Sequence, residues 1–263
     1  LLFGALLTKL TWGWTALDPW QQHVLGSADR FLILNCSRQS GKSSILMVKA
    51  LWTALTVPKA LVLIVAEQRQ SNEDMRKVKE LLGAYQKYLG RRYRGTASVD
   101  LLEDNKTSLE VDNGARLVAL PANEKVRGYS APTMIVIDEA GYIKDDVFVG
   151  LDPMLEVSQG QLILASTPNG TSGFFHREWT NPRYAKFRVP WQSCPRIQPD
   201  SIAQKRLLYG EAYVEQEYGC VFLDDISSLF TERALAASLD DTEDVFMVPH
   251  DLSAALHGDV ELI

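Results

Sequence analysis

Eight consecutive residues, Cys36-Ser37-Arg38-Gln39-Ser40-Gly41-Lys42-Ser43, have the types and spacing needed to hold a nucleotide's phosphates. They follow the template G-x-x-x-x-G-K-S/T, in which backbone N–H groups cradle phosphates, the lysine reaches the β- and γ-phosphates and the hydroxyl binds Mg2+. Gly41 lets the backbone approach without a Cβ in the way, and the helix that follows adds partial positive charge at its N-terminus. Ser37, Arg38, Gln39, Ser40, Gly41, Lys42, Ser43 and Ser44 are thus the candidate contacts for ATP, with Ser43 also a candidate metal ligand. Cys36 departs from the template, standing where the first glycine usually sits. A bare Gly-Lys-Ser/Thr arises by chance in roughly one chain in seven of this length at average composition, so its surroundings decide its meaning.

The deciding stretch is Met134-Ile135-Val136-Ile137-Asp138-Glu139-Ala140. Its continuous apolar run suits a strand buried on both faces of a parallel sheet. The two carboxylates then sit at the C-terminal end of that strand, where open α/β sheets bind ligands. Asp138 is placed to hold Mg2+ in the manner of a Walker B aspartate, and Glu139 to orient and deprotonate an attacking water. Two further polar positions join them. Thr167 follows the run Gln161-Leu162-Ile163-Leu164-Ala165 and can sense the γ-phosphate or its attacking water, although Ser166-Thr167-Pro168 is also a common turn sequence. In Leu17-Asp18-Pro19-Trp20-Gln21, Asp18 and Pro19 suit a helix start, while the Gln21 amide has the donors and acceptor to read an adenine edge.

Strand-like and helix-like segments alternate, as in a mainly parallel sheet covered by helices. The run Phe31-Leu32-Ile33-Leu34 leads into the phosphate loop. A helix follows over residues 43–55, then a second buried strand, Leu61-Val62-Leu63-Ile64-Val65-Ala66. Ser71 is expected to cap the next helix, whose Met75, Val78, Leu81, Leu82, Tyr85 and Leu89 recur at helical spacing. Arg91, Arg92 and Arg94, interleaved with Tyr93, read as a solvated loop, although such a cluster is also able to contact nucleic-acid phosphates. Residues 95–113 read as a hairpin or insertion, 116–120 as a strand, and 145–157 as a helix broken near Gly150 and Pro153. Beyond Gly173 the pattern changes: residues 184–189 are strand-like, and 199–219 read as two short helices broken at Gly210. The expected division is a phosphate-loop core over 1–172, a small second subdomain over 173–225 and a tail or linker over 226–263.

The whole chain has 263 residues, 46% hydrophobic and 23% charged, ordinary values for one large globular domain with a small appendage. Its three cysteines are far apart and form no C-x-x-C, which argues for a reducing compartment and against a disulfide or zinc framework. The four histidines show no metal-ligand spacing. Residues 1–7 are apolar but too short to span a bilayer and read as a clipped helix, with no membrane partner expected. The chain does not begin with methionine and reads as a fragment. A net charge of −6 gives nucleic-acid binding no support from composition, though it leaves room for a local basic patch.

Taken in order, Pro19-Trp20-Gln21, Ser37 to Ser43, Arg127-Gly128, Ile135 to Ala140, Ser166-Thr167-Pro168 and Gln216-Glu217-Tyr218 resemble one family, the ATPase motor domain of bacteriophage terminase large subunits. The likeness spans about residues 15–223. Terminases carry an arginine inside the phosphate loop and commonly lack its first glycine, so Arg38 and Cys36 fit this family better than a generic P-loop enzyme. The resemblance implies a P-loop NTPase fold with a C-terminal lid. It also implies an ATP- and Mg2+-dependent motor that packages double-stranded DNA into a procapsid, as a homo-oligomeric ring docked on a portal protein with a small terminase subunit. The place implied is the cytoplasm of an infected bacterium.

By the same resemblance Gln21 contacts adenine, Lys42 and Ser43 hold phosphate and Mg2+, Asp138 supports the metal, Glu139 activates water and Thr167 couples nucleotide state to motion. The catalytic arginine is Arg38 acting in cis or Arg127 reaching a neighbouring subunit's nucleotide. Complete large terminases also carry a C-terminal metal-dependent nuclease. Here Asp240, Asp241, Glu243, Asp244, Asp251 and Asp259 form no strand-borne constellation, so no nuclease is expected in this chain. Two other classes share the phosphate loop: a helicase-like DNA-dependent ATPase, and a nucleotide-binding assembly protein with little hydrolysis.

Overall fold

Apolar runs of five or six residues become strands here because helices cover them from both sides. The structure is a computed structural model that describes residues 1–95, 97–123, 126 and 128–223. Arg127 and the expected tail over 226–263 lie outside the described residues. In chain order the elements are α1 (Leu2–Trp12), α2 (Pro19–Gly26), β1 (Phe31–Cys36), α3 (Lys42–Thr56), β2 (Leu61–Ala66) and α4 (Gln68–Arg92). Then come β3 (Leu101–Asp104), β4 (Ser108–Val111), β5 (Arg116–Pro121), β6 (Met134–Asp138), α5 (Asp145–Leu151) and α6 (Leu155–Ser158). The last are β7 (Gln161–Ser166), α7 (Gly173–Thr180), β8 (Ala185–Val189), α8 (Pro199–Tyr209) and α9 (Glu211–Glu217). The strands form one sheet in the order β3-β4-β5-β2-β6-β7-β1-β8. From β5 to β8 every pairing is parallel, while β3 and β4 add an antiparallel hairpin at one edge.

Successive side chains on a strand point to opposite faces, and the two cores divide accordingly. Leu32, Leu34, Val62, Ile64, Val136 and Ile163 face α1 to α4, meeting Leu7, Val24, Ile45, Met75 and Val78. Ile33, Leu63, Val65, Ile135, Ile137 and Leu164 face the other way, meeting Phe148, Leu151, Phe174 and Phe175 of α5 and α7. This is why the runs are continuous rather than alternating. The molecule is a mixed α/β sheet between two helical layers, as expected.

Parallel register brings the functional strand ends level. Asn35 of β1 is opposite Ser166 of β7, and Ala165 of β7 is opposite Asp138 of β6. The phosphate loop, Thr167 and the Asp138–Glu139 pair therefore emerge along one edge.

Several expectations change. Ser71 does not cap α4: the helix starts at Gln68 with Glu67 as N-cap, Ser71 N–H already bonds Glu67 O at 2.8 Å, and its hydroxyl turns back to Gln68 O. Arg91 and Arg92 are not loop residues but the last turn of α4, where cations suit the negative end of the helix dipole. Within the segment expected as a lid, β8 is a strand of the central sheet beside β1, while α8 and α9 pack around Ile202, Val214 and Tyr218. Residues Leu1–Leu223 form one compact unit. Among the described residues no helix is long and apolar enough to cross a membrane.

Candidate active site

Between β1 and α3 the chain makes a tight loop with Gln39 at φ 57° and Gly41 at φ 89°. A Cβ on Gly41 would lie 3.0 Å from Trp14 Cη2, so this position needs glycine both for its backbone and for its space. The residues after it, Lys42, Ser43 and Ser44, open α3, and the N–H groups of a first helical turn have no partner within the helix. Ser40 adds a buried hydroxyl with no hydrogen-bond partner. This donor set fits a polyphosphate. Cys36 does not line the loop: it is the last residue of β1, fully buried among the apolar side chains, and burial pushes its thiol well up.

Lys42 is buried, and its Nζ donates to Glu139 Oε1 at 2.6 Å. Burial alone would lower its pKa, but Asp138 and Glu139 beside it outweigh that and hold the ammonium protonated well above its ordinary range. Asp138 is fully buried at the end of β6. Its Oδ1 accepts Glu139 N–H at 3.0 Å and its Oδ2 lies 3.4 Å from Gln70 Nε2. Glu139 itself adopts left-handed backbone, φ 54° and ψ 38°. For a non-glycine residue this costs about 1–3 kcal/mol. The turn sends the chain sharply off the strand into the 3-10 turn Ala140–Tyr142. Among the described residues no group of three or more His, Cys, Asp or Glu could hold a metal. Mg2+ keeps several waters and takes one or two carboxylates plus substrate phosphates. Ser43, half-buried at the start of α3, and Asp138 are the residues that fit it.

Thr167 is buried, and its Oγ1 lies 3.2 Å from Tyr142 OH, which donates to Glu217 Oε1 at 3.3 Å. Glu217 in turn forms an ion pair with half-exposed Arg38, Nε to Oε2 2.7 Å, and its carbonyl accepts Arg38 N–H at 2.8 Å. A polar chain thus runs from the end of β7 to α9 and back to the phosphate loop. Arg38, Gln70, Glu139 and Tyr142 line a cavity of about 290 Å3 beside it. Gln21 is fully buried, with its Oε1 accepting Asp18 N–H at 3.0 Å and its Nε2 reaching Ser40 O at 3.5 Å. It closes the start of α2 and touches the phosphate loop together. Ser37 ties the loop to the sheet edge through Val189 O, and Gln39 is exposed at the tip.

Sequence reasoning missed Tyr142, Gln70, Asp74, Trp14 and Arg196. Arg196 forks onto both Asp18 oxygens at 3.0 and 2.7 Å, donates to Ser40 O at 3.0 Å and covers the Trp14 ring. No local pattern foretells a contact made across 178 residues. Asp74 did leave a signal, as a carboxylate on the buried stripe of α4 between Ser71 and Val78. Burial and then the charge of Asp138 push its carboxyl up.

A phosphate-type loop and a strand-end carboxylate pair on the C-terminal edge of a mainly parallel sheet define the nucleotide-binding α/β class. Within that class, the chain belongs to the family described as terminase large subunit, T4likevirus-type, N-terminal, matched over residues 33–237. The ATPase domain of the large terminase of Thermus phage P74-26 is similar at 19% identity and a TM-score of 0.69, covering 82% of this chain and 97% of that one. The large terminase of a thermophilic bacteriophage is similar at 11% identity and a TM-score of 0.63, covering 80% of this chain and 54% of that one. For the HK97 bacteriophage large terminase the values are 15% and 0.59, covering 77% and 49%. The chain spans about half the length of these last two proteins. At such identities the likeness is one of fold.

Proposed function

We propose that this chain is an ATP-hydrolysing motor domain that drives double-stranded DNA into a procapsid. The observation that carries the reading is the 2.6 Å contact between Lys42 Nζ and Glu139 Oε1, which puts the phosphate-loop cation and the strand-end carboxylate at one point. Incoming phosphates compete for Lys42 and release Glu139 to orient a water and take its proton. Ser43 and Asp138 would hold Mg2+, which would neutralise charge on the phosphate oxygens. The loop up to Ser44 cradles the phosphates through groups other than the Ser37 and Arg38 N–H, which already bond Val189 O and Glu217 O. Gln21 must leave its buried contacts with Asp18 and Ser40 to read the adenine edge. That the thermophilic bacteriophage's large terminase has been solved with ADP supports a nucleotide here.

Arg38 acts in cis on the developing charge, and Arg127 is the candidate that reaches a neighbour's nucleotide. Thr167 passes nucleotide state through Tyr142 and Glu217 to α9. Within residues 173–225, α8 and α9 then serve as the lid that turns hydrolysis into movement. The working form is a homo-oligomeric ring docked on a portal protein with a small terminase subunit, in the cytoplasm of an infected bacterium. The test is ATP turnover with and without double-stranded DNA, alongside packaging into matching procapsids by the full-length subunit. DNA-stimulated turnover that Lys42→Ala abolishes together with packaging supports the reading. Turnover indifferent to DNA, or packaging by Lys42→Ala, contradicts it.

A further inference from the structure

The first two turns of α4 contain a buried carboxyl that the mechanism above does not use. Asp74 is fully buried on the helix face that otherwise carries Met75 and Val78 into the core. Removing a carboxylate from water is costly unless it is paired, and an apolar side chain would complete this stripe at no such cost. Asp74 Oδ1 accepts from Lys77 Nζ at 3.0 Å and from Gln70 Nε2 at 2.9 Å, while its Oδ2 is buried with no hydrogen-bond partner. The same Gln70 nitrogen lies 3.4 Å from Asp138 Oδ2.

A side-chain amide nitrogen has two hydrogens, so Gln70 can give one to each carboxylate. Asp138 is thereby gripped on both oxygens, at Oδ1 by the Glu139 N–H and at Oδ2 by Gln70. The first donor is backbone and cannot move far. The second is a side chain whose place is set by Asp74.

We propose that Gln70, anchored by Asp74, is a positioning residue that fixes the rotation of the Asp138 carboxylate and so sets the protein's hold on Mg2+. Asp74 acts through Gln70, and Gln70 through Asp138. The inference rests on the assignment of Asp138 to the metal. Partners that orient a metal-ligating carboxylate are typically worth roughly 10–100-fold in metal affinity, which sets the size of effect to look for.

The experiment is binding of a fluorescent ATP analogue carrying an N-methylanthraniloyl group, in EDTA and across a Mg2+ titration. It compares wild type, Gln70→Ala, Asp74→Asn, Asp74→Leu, the Gln70→Ala/Asp74→Leu double variant and Asp138→Asn, with thermal melts to establish folding. Gln70→Ala should raise the half-saturating Mg2+ roughly 10-fold or more while leaving affinity in EDTA unchanged. Asp74→Asn keeps an oxygen for Gln70 and should stay close to wild type. Asp74→Leu should match Gln70→Ala, and the double variant should be no worse than either, because the two act in series. If Asp74→Leu does not fold, with Lys77 left unpaired, the Gln70→Ala titration decides alone. A folded Gln70→Ala protein with a wild-type Mg2+ curve, while Asp138→Asn shifts the curve, overturns this inference alone. A curve unmoved by Asp138→Asn overturns the metal reading of Asp138 and this inference with it.

Discussion

Lys42 rests against Glu139, so a single substitution there has two consequences. Lys42→Ala removes the cation meant for the β- and γ-phosphates and leaves Glu139 without its partner. ATP binding should weaken and turnover disappear while the fold persists, as read by nucleotide titration, turnover and circular dichroism. A wild-type rate would remove the phosphate-loop assignment. Cys36 predicts something milder. Since its side chain packs in the core and not on the loop, Cys36→Gly should stay active. It should lose about 1–3 kcal/mol of stability, from the cavity and the added backbone freedom. Urea denaturation with a parallel ATPase assay checks both, and a folded but inactive protein would show that the end of β1 shapes the loop directly.

At the level of elements, the middle of α3 and the end of α2 are joined by a buried lysine. Lys49 Nζ donates to Ser27 O at 2.8 Å just beyond α2, and burial lowers its pKa from 10.5 to about 8. The unfolded chain therefore keeps this proton to higher pH than the folded one. Between those two values folding releases a proton, so Lys49 contributes least below about 8 and stability should rise as pH climbs toward 10.5. Urea denaturation across that window should show wild type gaining on Lys49→Met; a constant difference would mean that the lysine stays charged in the fold.

The strands were readable because burial on both faces leaves long apolar runs, and the break between α8 and α9 because Gly210 interrupts two helical patterns. The start of α4 was misjudged because Gln68, Arg69 and Gln70 extend the helix a turn before the serine. The place of β8 was not readable at all. Its partner β1 lies about 150 residues earlier in the chain, and nothing local encodes parallel pairing at that distance. The same separation hid Arg196, whereas Lys42, Asp138 and Glu139 stood out because each ends or begins an element in a recognisable pattern.

For the molecule as a whole, the proposed ring would allow sites to be completed between subunits. If Arg127 reaches a neighbour's nucleotide, mixing Arg127→Ala subunits with Lys42→Ala subunits should restore some ATPase, since a mixed interface pairs an intact loop with an intact finger. No rescue at any ratio, in a mixture shown to form rings, returns the catalytic role to Arg38.

The central claim is that Glu139 is the base of an ATP-hydrolysing site held ready by Lys42. Its most direct test is a side-by-side measurement of ATP·Mg2+ binding and steady-state turnover in Glu139→Gln, which keeps shape but removes the basic carboxylate. Binding should be retained and turnover lowered roughly 10²–10⁴-fold, the usual cost of losing a general base. A folded Glu139→Gln protein that hydrolyses ATP at the wild-type rate would contradict it.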